Sequence, residues 1–84
     1  MRYKGSVKVM LKPGVLDPQG ATLERALRSM GFESPLSVRV GKLIELELEA
    51  ESLESAQAQV ERWADELMAN PVMERYRVKV ESLK

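Results

Sequence analysis

Neither cysteine nor histidine occurs in the 84 residues. Without thiols there is no disulfide framework and no thiolate chemistry, and without imidazole the commonest metal ligand and general base are missing. Net charge is absent as well, because 13 basic residues balance 13 acidic ones. That excludes the strong positive field on which nucleic-acid binders and polybasic membrane proteins rely. Aromatic residues are scarce, with one Trp, two Tyr and one Phe, and the open sheet face carries charges in place of the exposed aromatics that a reader of single-stranded RNA needs. No run is long and apolar enough to span a membrane. A strand pattern carrying Arg2 and Lys4 begins at once, so no signal peptide is expected and cytoplasmic residence is the default. The length allows one domain, residues 1–84, whose small core would gain from self-association or a partner surface.

What is present is most concentrated in Lys12-Pro13-Gly14-Val15-Leu16-Asp17-Pro18-Gln19-Gly20, two prolines and two glycines within nine residues. Each proline fixes its own φ and pushes the residue before it toward extended geometry, while Gly14 and Gly20 are free to take positive φ. This predicts a shaped strand-to-helix connection in which Asp17 caps a helix and Pro18 takes its first position. A rigid loop also presents side chains in a fixed pose. Lys12, Asp17 and Gln19 are therefore the candidate partner-contact residues.

Around this turn the chain alternates between strand and helix periods. Tyr3, Val7, Val9 and Leu11 alternate with polar residues as in a half-buried strand, with Gly5 a candidate bulge. Leu23, Ala26, Leu27 and Met30 form one helical face, which Gly31 ends in a left-handed cap with Phe32 folding back. Leu36, Val38 and Val40 predict a second strand, and Gly41-Lys42 a tight hairpin turn. A third strand follows, with Ile44, Leu46, Leu48 and Ala50 inward and Glu45, Glu47 and Glu49 on the other side. Ser52 caps a second helix whose stripe is Leu53, Ala56, Val60, Trp63, Ala64 and Leu67, with Trp63 expected in the core. Asn70-Pro71 stops it through a left-handed Asn cap, and Tyr76, Val78 and Val80 make a fourth strand.

The order β-α-β-β-α-β predicts an α+β, ferredoxin-like fold: a four-stranded antiparallel sheet, strand order 4-1-3-2, with both helices on one face. In that order the acidic third strand lies beside Lys4 and Lys8, a favourable pairing, whereas Arg77 and Lys79 also lie beside Lys4 and Lys8. That like-charge contact points to a covering subunit or anion. The carboxylates stand on an open, ion-paired face where nothing raises a pKa, so no acid–base role is expected. No phosphate-binding glycine loop is present. Catalytic, metal and cofactor residues are all expected to be absent from this chain.

The motif Lys12 to Gly20, together with Gly31-Phe32, Val38-Arg39-Val40-Gly41-Lys42 and Asn70-Pro71-Val72, resembles the PurS family, the small subunit of phosphoribosylformylglycinamidine synthase. The resemblance spans essentially the whole chain. It implies a non-catalytic subunit, a homodimer or dimer of dimers, that joins a PurQ-type glutaminase to a PurL-type synthetase in purine biosynthesis and helps ammonia pass between them. ATP and magnesium would then be used by the synthetase. Arg39 and Lys42 are the alternative contact residues. A different implication comes from Pro13-Gly14-Val15-Leu16, which is also similar to the Pro-Gly-apolar turn of ACT domains, small-molecule-binding regulatory modules.

Overall fold

The alternation from Tyr3 to Leu11 becomes the central strand of a three-stranded antiparallel sheet. The computed structural model describes residues 1–34 and 37–83. Its elements are β1 (Arg2–Leu11), α1 (Pro18–Ser29), β2 (Gly41–Glu49), α2 (Leu53–Trp63), a π-helical extension of α2 (Ala64–Met68) and β3 (Glu74–Ser82). The strand order is β2-β1-β3. Val7 pairs with Ile44 on one side and Val78 on the other, so inward residues of all three strands fall on one face. The register runs without a break through Gly5.

Gly5 therefore marks no bulge. It lies under α2, where an added Cβ would stand 3.1 Å from Val60 Cγ2, so the missing side chain lets the helix sit close on the sheet. Ser52 caps α2 by accepting from the Ser55 N–H at 3.1 Å, and Ala56, Val60 and Ala64 bury its inner stripe. They pack with Tyr3, Val7, Val9, Leu48 and Ala69 into a core of mostly small side chains. Such a core keeps the helix near but buries little area per residue.

The end of α2 departs from the expected left-handed cap. The Ala69 N–H reaches Ala64 O at 2.9 Å, five residues back, and no described residue other than glycine has positive φ. Asn70 acts one step later, its side-chain oxygen accepting from the Val72 N–H at 3.0 Å and its carbonyl from the Glu74 N–H at 2.7 Å. Asn70-Pro71 thus ends the helix by an Asx turn. Gly31 does take the left-handed conformation, φ 93°, with Phe32 N–H bonded to Leu27 O and Gly31 N–H to Arg28 O, the paired bonds of a Schellman end.

Three features differ from the expected sandwich. Among the described residues no fourth strand forms. Leu36 lies outside them, and residues 37–40 are irregular because their polar groups are engaged elsewhere: the Val40 N–H donates to Asp17 and the Arg39 guanidinium to the Leu11 and Lys12 carbonyls. Gly41 and Lys42 are correspondingly not a hairpin turn but the first residues of β2, paired with Met10 and Val9. Finally, only α2 packs on the sheet. Leu23, Met30 and Phe32 are 49%, 70% and 53% exposed, and Trp63, expected in the core, is 36% exposed. Burying such a side chain is worth about 1.5–3 kcal/mol, so an isolated chain leaves a substantial part of its hydrophobic stabilisation unrealised. The dimensions agree: 51 × 29 × 14 Å with a radius of gyration of 16.5 Å, against about 12 Å for a compact chain of this length.

Gly20 is the buried residue of α1. A Cβ there would run into the Val38 carbonyl oxygen and lie 2.9 Å from Asp17 Oδ2. Gly20→Ala is expected to destabilise the fold by about 1–3 kcal/mol, read as a lower urea midpoint. An unchanged midpoint would show that residues 38–40 move aside without cost.

Candidate functional site

The two prolines and two glycines between β1 and α1 build two successive turns. Pro13 and Gly14 occupy the middle of the first, which the Val15 N–H closes on Lys12 O at 3.2 Å; Gly14 has φ 85°, the value a type II turn demands at its third residue. The second is the helix start. Pro18 takes the first helical turn, and Asp17 Oδ1 accepts from the Gly20 N–H at 2.9 Å, a side-chain cap. Both turns follow the sequence pattern.

Asp17 does more than cap. Its Oδ2 accepts from the Val40 N–H at 2.9 Å, and Arg39 Nε stands 3.7 Å away, with the Asp17 side chain only 10% exposed. The Val40 and Gly20 N–H groups, with the Arg39 charge, hold its carboxyl below the usual aspartate value. Arg39 in turn donates to Leu11 O at 2.7 Å and Lys12 O at 3.2 Å. One carboxylate and one guanidinium thus tie the end of β1, the start of α1 and the approach to β2 together.

Lys12 faces the opposite way. Its Nζ donates to Pro71 O at 2.7 Å and its N–H to Met73 O at 2.8 Å, so it fastens the turn to the loop before β3. Gln19 and Lys42 remain on the same side as Asp17. With Val9, Leu11, Pro18, Val40, Gly41 and Glu74 they line an open cavity of about 410 Å³. Of the five candidate contact residues, Asp17, Gln19 and Lys42 line this cavity, Arg39 stands beside Asp17, and Lys12 is turned to the loop before β3. Sequence reasoning missed Glu74 and the Pro71 and Val38 carbonyls, since a backbone oxygen leaves no residue-type signal.

The sheet face away from α2 carries charge in two blocks. Glu47 and Glu49 pair in register with Lys4 and Arg2, and Lys4 Nζ lies 2.8 Å from Glu45 Oε2; this contact raises the Lys4 pKa. At the other end Lys8 faces Arg77 across the strands, next to Arg75, whereas Lys4 faces Glu81 and Lys79 faces Ser6. The expected like-charge contact is thus concentrated at Lys8 and Arg77. A groove lined by Lys8, Met10, Arg39, Gly41, Lys42 and Leu43 adjoins it. Among the described residues no cluster of three or more acidic side chains could hold a metal ion, and no helix is long and apolar enough to cross a membrane.

Comparison with known proteins identifies this arrangement. The family model "PurS: Phosphoribosylformylglycinamidine (FGAM) synthase" matches residues 4–82. The chain belongs to the PurS family. The FGAM synthase subunit PurS of Methanocaldococcus jannaschii is 41% identical over 81 residues, covering 96% of this chain and 98% of that one. The Bacillus subtilis PurS is 42% identical over 81 residues, with 96% and 95% covered. Among solved structures, Thermus thermophilus PurS superposes with a TM-score of 0.88 at 38% identity over the whole of both chains. A chain of the PurLQS structure from Thermotoga maritima superposes with a TM-score of 0.87 at 38% identity, covering 96% of this chain and 99% of that one. This chain is the PurS subunit of FGAM synthase, a glutamine-dependent ligase of purine biosynthesis. The PurS match runs through both turns and all three strands, whereas the ACT-like likeness is confined to Pro13-Gly14-Val15-Leu16.

The lowered pKa of Asp17 fixes a pH dependence. Folded, its carboxyl binds a proton less readily than in the unfolded chain, where its value is near 3.8, so its stabilisation is complete above that pH and fades as pH falls through the lower folded-state value. The difference in melting temperature between the parent and Asp17→Asn should therefore be largest at neutral pH and shrink below about pH 4. A difference that stayed constant from pH 7 to pH 3 would separate the cap's stability from the carboxylate charge.

Proposed function

We propose that this PurS subunit is a non-catalytic bridge: it binds a PurL-type synthetase and a PurQ-type glutaminase, self-associates, and helps ammonia pass from one enzyme to the other. The observation that carries the reading is the likeness, over nearly the full length of both chains, to a chain of the Thermotoga maritima PurLQS assembly. The sequence supports it, since a chain without cysteine or histidine lacks the usual nucleophile and base of glutamine hydrolysis. ATP and magnesium belong to the synthetase in this reading, which requires no cofactor of the PurS chain. The complex would work in the cytoplasm.

Gln19 and Lys42 are the partner-contact residues of choice, since both line the cavity beside the Asp17 cap and neither side chain is hydrogen-bonded among the described residues. Lys12, Asp17 and Arg39 contribute to the same surface but also hold the loops together. The basic end of the open sheet face, Lys8 with Arg77, is a second surface whose like charges an acidic partner segment would relieve.

Reconstitution tests this. Amidine formation from glutamine should require all three chains, while formation from high concentrations of free ammonia should depend much less on PurS. Gln19→Ala with Lys42→Ala should shift the melting temperature by no more than about 4–8 °C, since two exposed substitutions of up to about 0.5 kcal/mol each total about 1 kcal/mol, yet lower glutamine-dependent turnover several-fold. Glutamine-dependent synthesis that persists unchanged without PurS would sink the bridging role, and unaltered turnover of the double variant would move the contact elsewhere.

A further inference from the structure

Among the described residues β3 is paired on one side only, as an outer strand of the order β2-β1-β3. Its ladder with β1 is continued past both ends, by the Lys12 N–H on Met73 O at 2.8 Å and the Leu83 N–H on Arg2 O at 2.9 Å. Alternate residues of an antiparallel strand point both backbone groups to the same side. In this register Arg75, Arg77 and Lys79 direct theirs to β1, and Tyr76, Val78 and Val80 turn their N–H and C=O groups outward. At the start of the strand the outward Glu74 N–H is taken by Asn70 O at 2.7 Å. No described residue takes the outward groups of Tyr76, Val78 and Val80.

The side chains of this edge carry a second pattern. Arg75, Arg77 and Lys79 stand exposed on the face away from α2, about 7 Å apart along the strand. Across β1 they meet Met10, Lys8 and Ser6, and none of the three is in an ion pair among the described residues. On the other face Tyr76, Val78 and Val80 pack against the core yet are only half-buried. Glu74 and Glu81 close the cationic run at its two ends. A nine-residue outer strand without proline is open to pairing with another chain, and these charges decide which chain fits.

We propose that the outer edge of β3 receives an extended segment of a partner enzyme, one in which acidic and apolar residues alternate, added to the sheet as a fourth strand. This rests on the bridging reading above and specifies one of its contacts. The backbone of the segment bonds to Tyr76, Val78 and Val80, its carboxylates lie beside Arg75, Arg77 and Lys79, and its apolar side chains extend the inner face beyond Val78 and Val80. In strand addition the main-chain hydrogen bonds supply affinity and the alternate side chains specificity. Opposite charges on neighbouring strands are favourable and like charges are not, so the β3 edge of a second copy, cation against cation, is disfavoured. The β2 edge of a second copy fits less well, because its glutamates have partners in their own chain, Glu45 with Lys4 at 2.8 Å and Glu49 with Arg2 at 3.9 Å. A β2-on-β3 contact is also head-to-tail, open to growth into a fibre.

Amide-resolved hydrogen exchange reads this edge directly, because the outward N–H groups alternate with those already bonded to β1. In free PurS the Tyr76, Val78 and Val80 N–H groups should exchange fast beside slow Arg77 and Lys79. In the complex assembled with the PurL-type synthetase and the PurQ-type glutaminase the three should slow at least tenfold. Arg77→Glu with Lys79→Glu should weaken that assembly at least tenfold by titration calorimetry, while the oligomeric mass and far-ultraviolet circular dichroism of PurS stay as in the parent. Arg77→Lys with Lys79→Arg, which keeps the charges, should assemble like the parent. A complex that forms while the three N–H groups still exchange fast overturns the added strand and leaves the bridge standing. Slowing that ignores the charge reversal overturns the acidic partner segment. Protection already present in free PurS and lost on dilution gives the edge to a second copy and overturns the proposal. A parent that assembles with neither enzyme overturns the bridging reading as well.

Discussion

The fold depends on one carboxylate. Asp17 Oδ1 takes the Gly20 N–H and Oδ2 takes the Val40 N–H, so a single side chain caps the start of α1 and also claims a backbone donor that a fourth strand would have used. Because both oxygens are engaged and nearly covered, the group acts as a fixed joint between β1, α1 and β2, held in its charged form. Arg39 reinforces the joint from outside, neutralising the carboxylate and donating to two carbonyls at the end of β1. Gly20 is the steric counterpart, since the chain at Val38 comes too close for any side chain there. The direction in which α1 leaves the sheet follows from these contacts, and so does the exposure of its apolar stripe.

Below the joint the stabilisation is modest. The buried residues are mostly Val and Ala, and the ion pairs that run along the sheet are exposed: Lys4 with Glu45 at side-chain exposures of 39% and 53%, Arg2 with Glu49 at 69% and 80%. Exposed pairs of that kind contribute little and weaken with salt. Their value here is one of register, because a slip by one residue would turn Ile44, Leu46 and Leu48 to the outside and the glutamates inward. The acidic strand is thus a specificity device, and cohesion is left to the small core and to whatever covers the remaining apolar faces.

How much of this the sequence disclosed depends on the range of the interaction. The period-two patterns of β1, β2 and β3, the Asp17 and Ser52 caps, the Gly14 turn and the Gly31 helix end are local, and each residue type announces its own role. The strand read at Leu36 to Val40 was written in the same period-two code, but its backbone partners were taken by Asp17 and by the Leu11 and Lys12 carbonyls, groups distant in sequence. Gly41 failed as a hairpin for the same reason: its glycine serves a close approach to Met10 and Val9 within the β1–β2 ladder. Lys12 looked unemployed because its partner is the Pro71 carbonyl 59 residues away. The α1 stripe was read as an apolar face and Trp63 as core, yet Trp63 is 36% exposed; a helical pattern does not say which molecule covers an apolar face.

That last ambiguity ties fold to function. A helical stripe with period 3.6 states that burial is needed, and says nothing about whether the burying surface lies in the same chain. In an enzyme that folds alone the ambiguity is resolved internally. In a subunit of 84 residues it need not be, and here the rigid Asp17 joint turns the stripe outward instead of letting it close on the sheet. The same rigidity that withholds α1 from its own core holds the cavity beside Gln19 and Lys42 in a fixed shape on the molecule's surface. A stiff connector with unfinished faces suits a subunit of a larger ligase, because the binding geometry is built before the partners arrive and little ordering cost remains to be met on assembly.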